Sequence, residues 1–148
     1  MALMDSPPSP PSRRADIGLI GLGVMGRNLV LNMNDHGAAV AVYNRTTSKV
    51  DDFIEGDARD TKVVGTRSLA DLVAALRRPR RVMLMVSSGP AVDALLDTLL
   101  PLLSPGDGIA VMLPNYMQGW GLAKNHGLDM RTFGLREDSG WGLDTGRL

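Results

Sequence analysis

One stretch decides the fold: "IGLIGLGVMGRNLVLNMNDHG", Ile17 to Gly37. A short apolar run ends on Gly21, glycine recurs at Gly23 and Gly26, and Met25, Leu29 and Met33 follow at spacing four with Val30 beside them. The pattern predicts a buried strand, a tight turn, and a helix over Val24 to His36 with one apolar face, stopped by Gly37 in the left-handed conformation. G-x-G-x-x-G between a strand and a helix is the arrangement that receives a dinucleotide. Gly21 permits the turn, Gly23 lets the backbone approach a pyrophosphate, and Gly26 lets helix and sheet pack together. The helix start adds free N–H groups and a partial positive charge. The alternative is a glycine-rich turn that holds no ligand.

Working outward, "AAVAVY" reads as the second strand, "KVVG" as a third, "RVMLMV" (Arg81 to Val86) as a fourth and "GIAVML" as a fifth. Ser48 with Asp51 and Ser68 with Asp71 each place a hydroxyl at a helix start and a carboxylate three residues on. Leu69, Leu72, Val73 and Leu76 keep helical spacing behind the second pair. Pro90 opens a further helix whose face carries Val92, Leu95, Leu96 and Leu99, and "SPGD" (Ser104 to Asp107) is a turn. Apolar strands alternating with helices predict an α/β fold, a doubly wound parallel sheet of Rossmann type.

After Leu113 the periodicity fades, and residues 114–148 hold seven glycines and both tryptophans. This tail does not read as a sixth strand and helix, so the sheet is expected to be incomplete, with an irregular or partly helical end. The expected organisation is a leader over 1–15, a nucleotide-binding domain over 16–113 and an atypical tail over 114–148. The leader, with four prolines between Pro7 and Pro11, has polyproline character; a short organelle-targeting segment is the lesser alternative to a cytoplasmic chain.

Composition narrows the partners. Sixteen basic residues balance sixteen acidic ones, so no general electrostatic attraction to nucleic acid or anionic membrane is expected. The sequence has no cysteine, which removes disulfides, thiol catalysis and cysteine-ligated metals. Asp51 with Asp52, and Asp57 with Asp60, read as solvated charge. His36 reads as a helix-end residue, and His126 has no clustered ligands, so no metal site is expected.

The end of the second strand selects the cofactor. NAD sites usually carry a carboxylate there for the ribose hydroxyl, whereas this chain has "YNRTTSK": Asn44, Arg45 and Thr46, with Lys49 near. A guanidinium grips a 2′-phosphate with paired, charge-assisted hydrogen bonds, and an acid would repel it. NADP is therefore the expected cofactor; an ordinary surface arginine is the alternative for Arg45.

Taken together, "GLIGLGVMGRNLVLNMNDHG", "VYNRTTSKVDDF", "KVVGTRSLADLV" and "RPRRVMLMVSSGPAVD" resemble, in order and spacing, the N-terminal domain of the 6-phosphogluconate dehydrogenases, over about Asp16 to Asp107. Related β-hydroxyacid dehydrogenases share the glycine loop. The resemblance implies NADP-dependent oxidative decarboxylation of 6-phosphogluconate to ribulose 5-phosphate, and a homodimer. It also implies that Gly21, Leu22, Gly23, Val24, Met25 and Gly26 line the cofactor and that Asn44, Arg45 and Thr46 hold its 2′-phosphate. Val86 and Ser87 fall in a further cofactor segment, Ser87 standing where the family commonly has lysine. Beyond "PGDG" the pattern departs: the family asparagine beside the nicotinamide falls on Pro114, Asn115 is one place late, and no catalytic acid/base is found. Tyr116, Gln118, Gly119, Gly140, Trp141 and Leu143 resemble a stretch of the family's helical C-terminal domain. The chain is thus expected to join the start of such an enzyme to a fragment of its end, or to carry an unrelated tail. Three outcomes follow for the chain: cofactor part of the enzyme, inactive NADP-binding module, or a product that scarcely folds.

Overall fold

In the computed structural model the described residues are 14–87, 89–112, 125 and 127–133. Six strands form one parallel sheet: β1 (Ile17–Ile20), β2 (Val40–Tyr43), β3 (Val64–Gly65), β4 (Arg81–Leu84), β5 (Gly108–Met112) and β6 (Asp129–Phe133). They lie in the order β3-β2-β1-β4-β5-β6, the doubly wound arrangement in which the direction of winding reverses between β1 and β4. Among the described residues four α-helices lie between the strands: α1 (Val24–Asp35), α2 (Ser48–Glu55), α3 (Leu69–Ala75) and α4 (Pro90–Leu99).

The period-two alternation of the strands divides the core. Ile17, Leu19, Val40, Val42 and Met83 pack with Leu29, Val30 and Met33 of α1 and Val50 and Phe53 of α2. Ile20, Ala41 and Val82 pack the opposite way, with Leu72, Val73 and Leu76 around α3 and Leu99 of α4. Both faces of the central strands are therefore covered, which is why they read as continuous apolar runs. Leu96, Leu100, Ile109 and Leu128 form a third cluster beside β5.

The helix ends show which local signals hold. Gly37, at φ +92°, closes α1 in a paired C-terminal cap: its N–H donates to the Asn34 carbonyl at 2.8 Å, and the Ala38 N–H to the Met33 carbonyl at 3.0 Å. His36 adds a bond from its ring Nδ1 to the Asn32 carbonyl at 2.8 Å, the helix-end role expected of it. Ser68 caps α3, its hydroxyl accepting from the Asp71 N–H at 3.0 Å. Ser68→Ala is expected to cost about 1 kcal/mol, seen as a lower urea midpoint with an unchanged denaturant slope.

Three expectations need correction. Ser48 is not a cap. Thr47 precedes α2 already in helical conformation, and helix-like bonds run from the Lys49 N–H to Thr46 and from the Val50 N–H to Thr47, so Ser48 lies inside the first turn. The Asp51 carboxylate pairs instead with Arg67 at 2.8 Å. Met25 does not join the apolar face of α1: it is 63% exposed, because β1 stops at Ile20 and no sheet lies beneath the helix's first turn. Finally, a sixth strand exists. β6 runs parallel to β5 in the register Gly108↔Asp129 to Met112↔Phe133. "DMRTF" lacks a continuous apolar run, but a strand at the end of a sheet pairs through its backbone on one side only and needs none.

Of the leader expected over 1–15, residues 1–13 lie outside the described residues, as do Pro114, Asn115, Tyr116, Gln118, Gly119, His126, Gly140, Trp141 and Leu143; Ala15, in contrast, is buried and bridged in parallel to Leu76.

Candidate functional site

The glycine loop sits at the carboxyl ends of the strands, between β2 and β4, at the point where the winding reverses. On one side the Gly21 N–H donates to the Tyr43 carbonyl at 2.9 Å, and the Leu22 N–H donates to Asn44 Oδ1 at 3.0 Å. On the other, the Met85 N–H donates to the Ile20 carbonyl at 2.8 Å. A side chain at Gly21 (φ +108°) would strike the Met85 carbonyl and come within 3.2 Å of Val86 Cγ1. Val86 thus walls the loop from the β4 side, and Ser87 beyond it is exposed.

Past Leu22 the loop opens. Gly23 is exposed, and a Cβ there would meet nothing within 4 Å. The first bond of α1 runs from the Arg27 N–H to the Gly23 carbonyl at 3.0 Å. The N–H groups of Val24, Met25 and Gly26 precede it, at the helix end where an anion is favoured. Val24 is 80% exposed and Met25 63%, the two large apolar side chains most open to solvent among the described residues. Open space at Gly23, free N–H groups and an apolar shoulder together fit a dinucleotide phosphate with its flanking rings.

Beyond β2, Asn44 is half-buried while Arg45, Thr46 and Lys49 are exposed. Among the described residues, ion pairs join Arg27 to Asp57, Arg67 to Asp51, Arg77 to Asp16 and Arg80 to Asp107, and neither Arg45 nor Lys49 takes part in one. Two cations without carboxylate partners among the described residues therefore follow β2: Arg45, next to the Asn44 side chain that bonds the glycine loop, and Lys49 in the first turn of α2. The structure brings Gly21 to Gly26, Asn44 to Thr46 and Val86–Ser87 to one end of the sheet. The sequence did not reveal that the Asn44 side chain is turned inward onto the loop, because the bond spans 22 positions. Among the described residues no group of three or more His, Asp or Glu could hold a metal ion, and no helix is long and apolar enough to cross a membrane.

These features define a class: a Rossmann-type dinucleotide-binding domain, with its site where the strand order reverses. Within that class the chain belongs to the family of the NAD binding domain of 6-phosphogluconate dehydrogenase, which matches residues 16–115. It is 64% identical over 93 residues to a decarboxylating 6-phosphogluconate dehydrogenase of Cunninghamella elegans, covering 63% of this chain and 19% of that protein. Against the Mus musculus enzyme of the same name it is 60% identical over 94 residues, covering 64% of this chain and 20% of the other. Among solved structures it is similar to Plasmodium falciparum 6-phosphogluconate dehydrogenase, studied apo and in complex with its cofactor NADP+ and its substrate 6-phosphogluconate. That match has a TM-score of 0.71 at 32% identity over 80% of this chain and 27% of the other. The chain thus spans about a fifth of the length of the curated relatives it matches.

Proposed function

We propose that this chain is the NADP-holding part of a decarboxylating 6-phosphogluconate dehydrogenase. The observation that carries the reading is Arg45, exposed next to the Asn44 side chain that bonds the open glycine loop, and standing without a carboxylate partner among the described residues. A 2′-phosphate next to the β2 end would meet the Arg45 guanidinium and the Thr46 hydroxyl, while the pyrophosphate would lie on the N–H groups of Val24, Met25 and Gly26. NADP, when bound, accepts a hydride at its nicotinamide. The residues of this chain would bind and orient it, with Val24, Met25 and Val86 offering apolar surface beside the glycine loop.

Purified chain is expected to bind NADP more tightly than NAD in calorimetric titration. Arg45→Glu should weaken NADP about ten- to a hundredfold, the worth of a lost charge-assisted contact, and leave NAD nearly unchanged. Equal affinity of the unaltered chain for the two cofactors would remove the case for a phosphate clamp. Binding without turnover favours the role of a cofactor module, and Pro114 at the family's asparagine position supports it. The chain alone is expected to make no NADPH from 6-phosphogluconate; turnover abolished by Arg45→Glu would overturn this. On family grounds we extend the reading to a cytoplasmic setting and a homodimeric assembly.

A further inference from the structure

The family resemblance implies that Asn44, with Arg45 and Thr46, holds the 2′-phosphate. Its Oδ1 and one of its two Nδ2 hydrogens are engaged elsewhere. Oδ1 accepts from the Leu22 N–H at 3.0 Å, and Nδ2 donates to the Thr46 carbonyl at 3.1 Å. One carboxamide therefore joins the glycine loop, before α1, to the turn that carries Arg45 and Thr46, before α2. The bond to Leu22 also removes that N–H from the set open to a phosphate, which then begins at Gly23.

We propose that Asn44 is a positioning residue that fixes the spacing between two phosphate subsites, one on the free N–H groups at the start of α1 and one at Arg45–Thr46. The proposal rests on the NADP reading above. Without the brace each loop keeps its own donors: the helix N–H groups are part of α1, and the Arg45 guanidinium belongs to its own side chain. What is lost is their registration, which matters to a ligand that must satisfy both at once. A ligand with a single phosphate can follow whichever loop holds it.

Titration with adenosine fragments separates spacing from contact. The unaltered chain, Asn44→Ala and the smaller change Asn44→Ser are titrated by NMR with adenosine 2′-phosphate, adenosine 5′-phosphate and adenosine 2′,5′-bisphosphate, with thermal unfolding recorded for each. Both variants should weaken the bisphosphate about tenfold, the worth of one well-formed hydrogen bond, and weaken each monophosphate by less than about threefold. The loss should shrink when Arg45→Ala is already present, because one of the two registered subsites is then gone. Equal losses for the 2′-phosphate and the bisphosphate would show that Asn44 touches the phosphate itself and would overturn the proposal, as would no loss in either variant. Failure of the unaltered chain to bind the bisphosphate would instead defeat the NADP reading.

Discussion

Gly26→Ala is expected to reduce NADP affinity at least about a hundredfold and to destabilise the fold by about 2 kcal/mol. Helix propensity alone gives the opposite sign, since alanine in a helix interior is favoured over glycine by about 1 kcal/mol. The contact decides between them. A Cβ at Gly26 would run into the Gly21 carbonyl oxygen, with the Gly21 carbonyl carbon at 3.1 Å and Leu19 Cδ2 at 3.5 Å. The blocking atom is backbone, so no rotamer relieves the clash. Gly21 cannot retreat either, held by its N–H on Tyr43 and hemmed by Met85 on the β4 side. The start of α1 must therefore lift from the sheet, carrying with it the N–H groups of Val24 and Met25 that would face a phosphate in the proposed site. Calorimetry against NADP and differential scanning calorimetry read the two effects. A variant as stable as the original chain that still bound NADP normally would show that helix and sheet are not in contact here.

How much of this could be read from the chain depends on the range of the forces involved. The central strands are legible because both of their faces are buried, so Ile17 to Ile20 and Val40 to Tyr43 must be apolar throughout. The Ser68 cap and the Gly37 terminator are legible because each acts within five residues. Met25 misleads for a geometric reason: spacing of four identifies a helix face but not how far the sheet extends beneath it. Ser48 misleads because Thr47 already has helical dihedrals, which moves the helix start without changing the hydroxyl–carboxylate pattern. β6 hides because pairing with β5 is carried by the backbone and leaves little mark on composition. At the site, the glycine loop between strand and helix was legible, and the inward turn of Asn44 was not. The distinction between a residue that touches a ligand and one that braces those that do lies in a contact 22 positions long.

Asp107→Ala is expected to cost about 3 to 5 kcal/mol at neutral pH, the range for removing one partner of a buried ion pair. Asp107 is 3% exposed and stands in the turn before β5. Its Oδ1 accepts from the Arg80 N–H at 2.7 Å, and its Oδ2 accepts from the Ser104 N–H at 2.9 Å and from the Arg80 guanidinium at 3.2 Å. Arg80 in turn reaches the Val73 carbonyl through Nε at 3.1 Å, and its own carbonyl accepts from the Gly108 N–H at 2.7 Å. One carboxylate thus ties the entry of β5 to the entry of β4 and, through Arg80, to α3. Alanine would leave two backbone donors and a mostly buried guanidinium without their acceptor. Burial by itself would push the Asp107 carboxyl up, but the bonds from Ser104 and Arg80 outweigh it and hold the group below its ordinary value. A carboxylate depressed in the folded state contributes stability that is complete above its unfolded pKa, about 3.9, and is lost as pH falls through the folded value. The stability gap between the original chain and Asp107→Ala should therefore be full at pH 7 and narrow progressively below about pH 4. Urea titrations at pH 7 and at pH 3 measure it; a gap that stayed constant, or widened in acid, would mean that the ionised form of Asp107 does not hold these turns together.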